Sequence, residues 1–237
     1  MKPIPSISTI RPARLPPVSE AMSLPEITIA GMHEAVIDPF LAHVRPPARV
    51  VDLGAGAGAW ADRLVKVGFE VVGVDRARDR FGCANAKFVA ADLNDDFAKA
   101  LTGPFDAVTA IEVIEHLENP RHLLRQGKQL LKPGGLMFVT TPNIECVPAR
   151  IRYLMTGDLR MFGRDPILND PTHITPIHTQ MFERMIEDVG FDLVHHGFNR
   201  IEPTVSHPVW RVLSRTLAPL MKGVTGGDCH IFVLRPK

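Results

Sequence analysis

Three glycines alternate with alanines directly after an apolar run, in the segment V-V-D-L-G-A-G-A-G of residues 50–58. The run at 49–53 is typical of a buried strand, and residues 59–67 have the apolar spacing of an amphipathic helix. Glycines between a strand and a helix let a ligand approach the backbone closely, and the helix start offers unpaired N–H groups. The segment therefore predicts a βα unit with a ligand-binding loop rather than a plain tight turn.

Strands and helices alternate along most of the chain. The predicted strands are 49–53, 70–74, 87–90, 105–111, 136–140, 191–195 and 230–234, and the predicted helices are 32–44, 59–67, 120–131, 144–157, 179–189 and 209–221. Such alternation is typical of parallel βαβ units, whose sheet is covered by helices on both faces. The sequence thus favours an α/β fold.

Composition excludes several other classes of protein. Lysine and arginine number 27 against 26 acidic residues, so the net charge of +1 argues against binding nucleic acid through bulk charge. No run approaches the roughly 18 apolar residues of a membrane span. Three cysteines without CxxC spacing, Cys83, Cys146 and Cys229, argue against zinc or disulfide frameworks and favour a reducing compartment. We therefore expect a cytoplasmic protein without a membrane span.

Two carboxylates follow the next two predicted strands. Asp75 ends the strand after the glycine loop, where a carboxylate can accept both hydroxyls of a ribose. Asp92 follows the third strand, where it would meet an adenine amino group. Because Ala59 permits a weak G-x-G-x-x-A match, the loop and Asp75 fit either NAD or S-adenosylmethionine. Asp52, inside the end of the first strand, and Asp92 favour the second ligand.

Six segments carry a family resemblance. In order over residues 48–143 they are VVDLGAGAG, VVGVD, AADL, FDAVTAIEVIEHLENP, LKPGG and TPN, and the stretch from Phe182 to Phe191 continues the match. Together they resemble class I S-adenosylmethionine-dependent methyltransferases of the small-molecule type, in the subgroup of ubiquinone-pathway O-methyltransferases. The resemblance implies a Rossmann-like, doubly wound α/β sheet of seven strands, mostly parallel with an antiparallel last strand. It also implies S-adenosyl-L-methionine as the cofactor.

The proline distribution and the family resemblance together predict the domain organisation. Six of the 21 prolines stand within the first 25 residues, so residues 1–25 are expected to form a mobile or loosely docked tail. Residues 26–237 are then a single methyltransferase domain, with insertions on the acceptor side at about 144–178 and 203–226.

The resemblance also assigns cofactor-binding residues around the glycine loop. Gly54, Ala55 and Gly56 would pack against the amino-acid part of the cofactor. Asp52 would orient the loop or bind the cofactor's ammonium group.

The nucleoside would be bound by the two following strand ends. Asp75 would accept the ribose hydroxyls, and Asp92 with the N–H of Leu93 would bind the adenine. Arg76 would lie beside the adenine, although a solvated surface charge is an equal alternative.

The segment from Ile111 to His116 lies where the resembling subfamily faces the methyl group and the acceptor. Ile111 and Glu112 would line the cofactor near its sulfonium. A hydroxyl acceptor must lose a proton, so His116 is the candidate base and Glu115 its catalytic partner. The alternative is that either residue caps the next helix or fastens a loop.

A divalent metal is a further alternative for the same segment. Glu112, Glu115 and His116, with His173 or His178, would make a mixed oxygen and nitrogen site. This resembles the ExxEH pattern of small-RNA 2′-O-methyltransferases and of some ubiquinone-pathway O-methyltransferases. The pair EH also occurs widely without metal, and we assign no metal ligand.

The acceptor is expected to be a small molecule or a saccharide-like compound methylated on oxygen. The chain lacks an Asn/Asp-Pro-Pro-aromatic signature of amino-group methylases, its closest segment being Thr141-Pro142-Asn143. DNA is not expected as a partner and RNA is disfavoured. Metal-assisted RNA 2′-O-methylation and NAD(P)-dependent oxidoreduction remain the alternative functions, and the protein would be a monomer or homodimer.

Two features lie on the expected acceptor side. Arg150, Arg152, Arg160 and Arg164 would hold a phosphate or carboxylate, or else lie solvated at the surface. The apolar residues of 209–221 would pack as core or a lid, with a dimer or membrane-surface contact as the alternative.

Overall fold

A computed structural model describes residues 24–163, 171–205 and 208–237. The strands are β1 Arg49–Leu53, β2 Glu70–Asp75, β3 Lys87–Ala90, β4 Phe105–Ile111, β5 Leu131–Pro142, β6 Phe191–Phe198 and β7 Cys229–Pro236. The helices are α1 Met32–His43, α2 Ala59–Val67, α3 Pro120–Leu130, α4 Val147–Thr156, α5 Thr179–Val189 and α6 Pro208–Leu217. Short 3₁₀ turns include Ile114–His116 and Ala218–Leu220.

The strands form one sheet in the order β3-β2-β1-β4-β5-β7-β6. The pairs from β3 to β5 are parallel, and β7 pairs antiparallel with both β5 and β6. This confirms the expected seven-stranded, mostly parallel sheet with an antiparallel last strand. Strand order reverses between β1 and β4, so a crevice opens beyond the carboxyl ends of these two strands.

Both faces of the sheet are buried because successive side chains of each strand point to opposite sides. In β1, Val51 and Leu53 pack into the core beside α3 and α5, whereas Val50 packs into the core beside α1 and α2. Phe232 and Val233 of β7 divide between the two cores in the same way. A continuous apolar run thus serves both layers and holds the crevice between rigid strands.

Several element boundaries differ from the expectation by a few residues, as α4 does at Val147–Thr156 against 144–157, and two of the differences have a clear physical reason. The structure assigns Leu131 to β5 rather than to the preceding helix, and its pairing with β4 resumes at Leu136 after an irregularity. Pro133 cannot continue a helix, and Gly134 turns the chain with φ 80°. The expected helix at 209–221 is α6 followed by a 3₁₀ turn, because Pro219 lacks the N–H that a continuing helix needs.

The expected N-terminal tail falls mostly on residues 1–23, which lie outside the described part of the chain. Residues 24–31 are described, and they run beside the glycine loop before α1. We call residues 24–31 the strap. Among the described residues, no helix has the length and apolar character needed to cross a bilayer.

Candidate functional site

The glycine loop is a tight turn that only glycine can form at three positions. Gly54, Gly56 and Gly58 have φ values of 73°, 52° and 86°. A Cβ on Gly54 would lie 2.5 Å from a methyl carbon of Val113, so this residue also has no room for a side chain. The N–H groups of Gly54 and Ala55 both donate to the carbonyl of Val74, at 2.8 and 3.0 Å. The loop is therefore fastened to β2 in one conformation.

A cleft of about 940 Å³ opens above this loop, between the ends of β1 and β4 and the strap. Its volume is typical of a small-molecule site. Eleven residues expected from the sequence line it: Asp52, Gly54, Ala55, Gly56, Asp75, Arg76, Asp92, Leu93, Ile111, Glu112 and His116. The structure thus brings together every residue singled out for the cofactor.

Asp75 lies at the rim of the cleft at the end of β2. Its carboxylate accepts the N–H of Gly56 at 2.9 Å and that of Ala77 at 3.3 Å. Across the rim, Asp92 accepts the N–H of Asn94 at 2.9 Å and faces Arg76 at 3.7 Å. The Arg76 side chain is 77% exposed, so this ion pair contributes little to stability.

Asp52 is a buried carboxylate that reaches the same cleft. One oxygen accepts the hydroxyl of Thr109 at 2.9 Å, while Oδ2 has no hydrogen-bond partner among the described residues. Burial raises the pKa of Asp52 to about 7, helped by the nearby Asp75 and opposed by the Thr109 hydrogen bond. The unpaired oxygen is suited to a cationic group in the cleft, since an ammonium would satisfy it.

Glu112, directly after β4, has a strained backbone and holds the strap. Its φ is 52°, rare for a residue with a side chain, and its N–H donates to Thr140 Oγ1 at 2.9 Å. Its Oε2 accepts the N–H of Ile29 at 2.6 Å, and its Oε1 accepts the Cys229 thiol at 3.2 Å. Burial raises the pKa of Glu112.

The strap is a wall of the cleft that sequence reasoning missed. Residues 25–29 line the cleft, and Glu26 pairs with Arg63 of α2 at 2.9 Å and with His33 at 3.1 Å. No periodicity or motif marks these residues. Glu112 was the one indication of the strap in the sequence, because a carboxylate beside a predicted cleft needs hydrogen-bond donors. Nothing in the sequence identifies Ile29 as the residue whose N–H is that donor.

Three candidate acid–base or metal-ligating residues meet at the other end of the cleft. The rings of His116 and His173 have centroids 4.6 Å apart, and ligand atoms of Glu115, His116 and His173 all lie within 4.8 Å of one another. The carbonyl of Glu115 accepts the N–H groups of Ile174 and Thr175 at 2.9 Å each, which holds the 173–175 segment in place. Glu115 is fully buried and lies beneath the cleft lining rather than in it.

Hydrogen bonds define the nitrogen that each imidazole presents. Nδ1 of His173 donates to the carbonyl of Met161 at 2.8 Å, so its Nε2 carries the lone pair when the ring is neutral. Nδ1 of His116 contacts the hydroxyl of Thr172 at 2.9 Å and its carbonyl at 3.2 Å. Because the carbonyl of Thr172 can only accept, Nδ1 of His116 carries the proton, and Nε2 is again the basic atom.

Two of the candidate metal ligands named from the sequence, Glu112 and His178, do not join the others. Glu112 holds Ile29 and Cys229, as described above. His178 accepts the N–H of Gln180 at the start of α5 and pairs with Glu145 at 3.3 Å. Glu115, His116 and His173 are therefore the part of that set that would hold a divalent ion.

Two of the four arginines considered for anion binding instead connect parts of the chain. Arg150 donates to the carbonyls of Glu145, Lys222 and Val224 at 2.5, 2.7 and 2.9 Å. Arg160 pairs with the fully buried Asp228 at 2.8 Å.

Of the remaining two arginines, the structure describes one. Arg152 lies 3.5 Å from Asp158, and Arg164 is outside the described residues.

Comparison with known proteins places the chain in a family. A family model described as a methyltransferase domain matches residues 31–196. A ubiquinone biosynthesis O-methyltransferase of Xanthomonas campestris pv. campestris is 30% identical over 128 residues, which are 50% of this chain and 54% of that protein. The chain thus spans about half the length of the curated relatives it matches.

Solved structures share the fold. A SAM dependent methyltransferase from Archaeoglobus fulgidus superposes with a TM-score of 0.62 at 22% identity, covering 85% of this chain and 91% of that one. The plantazolicin methyltransferase, solved in complex with a triazolic desmethylPZN analog and SAH, gives a TM-score of 0.60 at 17% identity, covering 88% and 86%. With the match over residues 31–196, the sheet order and the glycine-loop cleft, the chain belongs to the class I S-adenosylmethionine-dependent methyltransferases, of the ubiquinone O-methyltransferase-like kind.

Proposed function

We propose that this chain transfers a methyl group from S-adenosylmethionine to an oxygen atom of a small-molecule or saccharide-like acceptor. The observation that carries the proposal is that one cleft contains both the glycine loop with its carboxylates, at one end, and His116 with His173, at the other. Cofactor and acceptor would meet between these two ends. S-adenosylmethionine supplies the electrophilic methyl group when it is bound.

The residues at the glycine-loop end fit the cofactor's polar groups. Asp52 offers the unpaired, buried carboxylate oxygen to the ammonium, and the turn at Gly54, Ala55 and Gly56 leaves room for the amino-acid part. Asp75 has further lone pairs for ribose hydroxyls beside its bond to Gly56.

The adenine would be bound by the other side of the rim. The carboxylate of Asp92 would accept a hydrogen bond from the adenine edge, and the N–H of Leu93 would donate one to it. Arg76 would lie beside the adenine. Ile111 and Glu112, which also line the cleft, would lie near the sulfonium.

At the acceptor end, His116 is the proposed general base. It lines the cleft, and its Nδ1 contacts with Thr172 fix the ring. The Nε2 atom would remove the hydroxyl proton as the oxygen attacks the methyl group. Glu115, buried beneath, would orient this segment, and His173 would limit the position of the His116 ring.

An oxygen acceptor is favoured over an amino group by the surroundings of Asn143. Its amide donates to the carbonyl of Gly226 at 2.6 Å, and its Oδ1 accepts the N–H of Glu145 at 2.8 Å. This side chain is 1% exposed and is occupied in holding two loops together. The name of the relative that is 30% identical, an O-methyltransferase, agrees with this choice.

A metal-assisted reaction is the second candidate, favoured by the convergence of Glu115, His116 and His173. Two imidazoles and a carboxylate suit a transition metal or zinc. In that case these residues would bind the ion and present the acceptor oxygen to it. RNA 2′-O-methylation would belong to this alternative, and NAD(P)-dependent oxidoreduction would need the same cleft to accept a dinucleotide.

We also propose that residues 26–237 form one domain after an N-terminal tail, and that the protein acts in the cytoplasm as a monomer or homodimer. All three cysteines are unpaired and buried, which suits a reducing compartment. The nearly balanced charge agrees with a small acceptor rather than DNA.

A screen of hydroxylated small molecules and saccharides for S-adenosylhomocysteine formation tests the proposal. One or more acceptors should give product that Asp75→Ala abolishes. Calorimetry with S-adenosylhomocysteine and with NADH provides the control. Tight binding of NADH alone would exclude the methyltransferase.

A further inference from the structure

Asp228 is a fully buried carboxylate between two arginines, directly before β7. Its Oδ1 atom accepts a hydrogen bond from Nη2 of Arg160 at 2.8 Å, and its Oδ2 atom lies 3.2 Å from Nε of Arg200. The N–H of Thr204 donates to Oδ1 at 2.8 Å, and the hydroxyl of the same residue donates to Oδ2 at 2.6 Å. Asp228 is not among the described residues that line the cleft, so any effect on the reaction passes through these neighbours.

Arg200 connects Asp228 to the strap. While its Nε atom faces Asp228, its Nη2 atom donates to the carbonyl of Ala30 at 3.0 Å. Ala30 directly follows Ile29, whose N–H is held by Glu112. Two adjacent residues of the strap are therefore each held by a hydrogen bond, and one of these bonds leads to Asp228.

Arg160 connects Asp228 to a strained residue at the acceptor end of the cleft. Met161 lines the cleft with a φ of 67°, a conformation that is rare for a residue with a side chain. Such a conformation persists only where its surroundings hold it in place. The preceding residue, Arg160, is suited to do so, because its Nη2 atom donates both to Asp228 at 2.8 Å and to the carbonyl of Thr204 at 3.0 Å.

Met161 in turn holds His173. Its carbonyl accepts the N–H of His173 Nδ1 at 2.8 Å, and the ring of Phe162 contacts the same imidazole with centroids 5.2 Å apart. The other neighbour of the His173 ring is His116, the proposed base. The contacts that begin at Asp228 therefore end at the imidazole that limits the position of the base.

We propose that Asp228 is a positioning residue that holds both ends of the cleft in place through its two arginines. The contact through Arg200 sets the position of the strap beside the cofactor. The contact through Arg160 sets the orientation of His173 beside the base. The proposal rests on the proposed function, because it takes the strap end of the cleft for the cofactor and the imidazole end for the acceptor.

The donors of arginine explain how one carboxylate serves both ends. A guanidinium carries five N–H donors in a fixed plane, so it can bind a carboxylate and a carbonyl at once. Arg200 does so with Asp228 and Ala30. Arg160 does so with Asp228 and Thr204. Because the two arginines and both donors of Thr204 hold its carboxylate, Asp228 is a fixed point from which each guanidinium is directed.

Variants that remove one arginine at a time test the proposal without an acceptor. Calorimetry with S-adenosylhomocysteine reports on the strap, and ¹⁵N NMR of labelled histidines reports on His173. The shifts of the two ring nitrogens show which one carries the proton, and the signals of His173 are identified by their loss in His173→Gln. Spectra are recorded with EDTA at about pH 8, where an imidazole is mostly neutral.

The two arginine variants should have separate effects. Arg200→Met should weaken S-adenosylhomocysteine binding at least about threefold, because the Ala30 carbonyl loses its donor, and should leave the His173 signals unchanged. Arg160→Met should keep the affinity within about twofold of the unaltered chain. It should move the two ring-nitrogen shifts of His173 toward each other, because a displaced Met161 carbonyl no longer selects one tautomer.

Two further variants complete the set. Asp228→Asn should change both the affinity and the His173 signals, since it weakens the attachment of both arginines. Arg121→Met removes an exposed ion pair with Asp188 at 3.0 Å, and this matched control should change neither readout. Thermal unfolding is measured for every variant, and both readouts are taken well below the lowest midpoint.

A purely structural role for Asp228 predicts a different pattern. If each arginine variant changed both readouts, or if neither variant changed either one, the proposal would be overturned. The arginine variants decide this even if Asp228→Asn does not fold. Failure of the unaltered chain to bind S-adenosylhomocysteine would instead end the proposed function and the strap contact with it, while unchanged His173 signals in Arg160→Met would end the other contact alone.

Discussion

The N–H of Ile29 donates a 2.6 Å hydrogen bond to Oε2 of Glu112 across 83 residues of sequence. This bond joins the strap to the end of β4, at the centre of the proposed site. The same carboxylate receives the Cys229 thiol of β7. Glu112 is therefore a junction of three parts of the chain, and we expect the cleft to depend on it.

Two substitutions of Glu112 should distinguish its role as a hydrogen-bond acceptor for the strap from the effect of its charge. Glu112→Gln keeps an oxygen for the Ile29 N–H, so S-adenosylhomocysteine should bind nearly as tightly as before. Glu112→Ala leaves that buried donor unpaired, which costs about 1–3 kcal/mol, and affinity should fall at least about fivefold. Isothermal calorimetry measures both. Equal losses in the two variants would show that the charge, and not the strap, matters.

Asp75→Ala should nearly abolish cofactor binding. Hydrogen bonds to a charged group contribute about 1.5–3 kcal/mol each, so the loss of two ribose contacts predicts at least a hundredfold weaker affinity for S-adenosylhomocysteine. Asp79→Ala, four residues further on and exposed, is the matched control. Retention of full affinity by Asp75→Ala would refute the assignment of the ribose site.

Asp52 should make stability fall with rising pH. Its pKa is raised to about 7 in the folded chain against about 3.9 when unfolded, so the folded state holds more protons between these values. The free energy of unfolding should therefore decrease from about pH 4 to about pH 7, and Asp52→Asn should lose this slope. Urea titrations at several pH values measure it. A slope unchanged in the variant would contradict the shift.

The same carboxylate should bind the cofactor more tightly at higher pH. Above about pH 7 Asp52 is ionised without the cofactor, so a cationic ammonium gains a charged partner. Thr109→Val removes the hydrogen bond that lowers the pKa, so it should move the rise in S-adenosylmethionine affinity to higher pH. Calorimetry across pH 6–9 checks both curves, and a rise at the same pH in the variant would count against this role.

His116→Gln should reduce turnover with little change in cofactor affinity. Loss of a general base typically costs about 10²–10⁴ in rate, and the substitution leaves the glycine loop untouched. His173→Gln should reduce turnover less, because it removes only a neighbour of the base. We expect activity to survive EDTA. If EDTA abolished activity and one equivalent of metal left with it, Glu115, His116 and His173 would be ligands instead.

Arg160→Met should destabilise the fold. Asp228 is fully buried between Arg160 and Arg200, at 2.8 and 3.2 Å, and its pKa is lowered mainly by a Thr204 hydrogen bond and by Arg160 despite burial. Removal of the sole partner of a buried charge costs about 3–5 kcal/mol, and because Arg200 and Thr204 remain beside Asp228 we expect a smaller loss here. The midpoint of thermal unfolding should be lower in Arg160→Met than in the unaltered chain. Arg152→Met removes the weaker and more exposed ion pair with Asp158 and should change the midpoint little. A stable Arg160→Met with lost acceptor binding would favour an anion-binding role.

The sheet and the glycine-loop end of the site could be predicted because they are encoded locally. Asp52, Asp75 and Asp92 each follow their own strand, and parallel strands bring their carboxyl ends to one edge of the sheet. The apolar runs then fix which strands are buried. Knowledge of the strand order therefore suffices to gather these side chains in one cleft.

The strap and the outward exposure of the apolar face of α6 could not be predicted, for two different physical reasons. The contact of Ile29 with Glu112 uses a backbone N–H, which every residue except proline possesses, so the sequence does not reveal that Ile29 is the donor. Helix α6 does show an apolar face at helical spacing, but spacing does not reveal whether that face meets protein or solvent. Only the exposure of Val209 and Val212 settles it.

The insertion of β7 between β5 and β6 governs how the sheet can be assembled. Strand β6 ends at Phe198 and its partner begins at Cys229, about thirty residues later, so β6 has no neighbour in the sheet until β7 is in place. Until that moment both β5 and β6 present open edges, each a template for pairing with another chain. Truncation before Cys229 would leave the edge of β5 open and β6 without any partner in the sheet, and would turn a methyltransferase fold into an aggregation-prone intermediate.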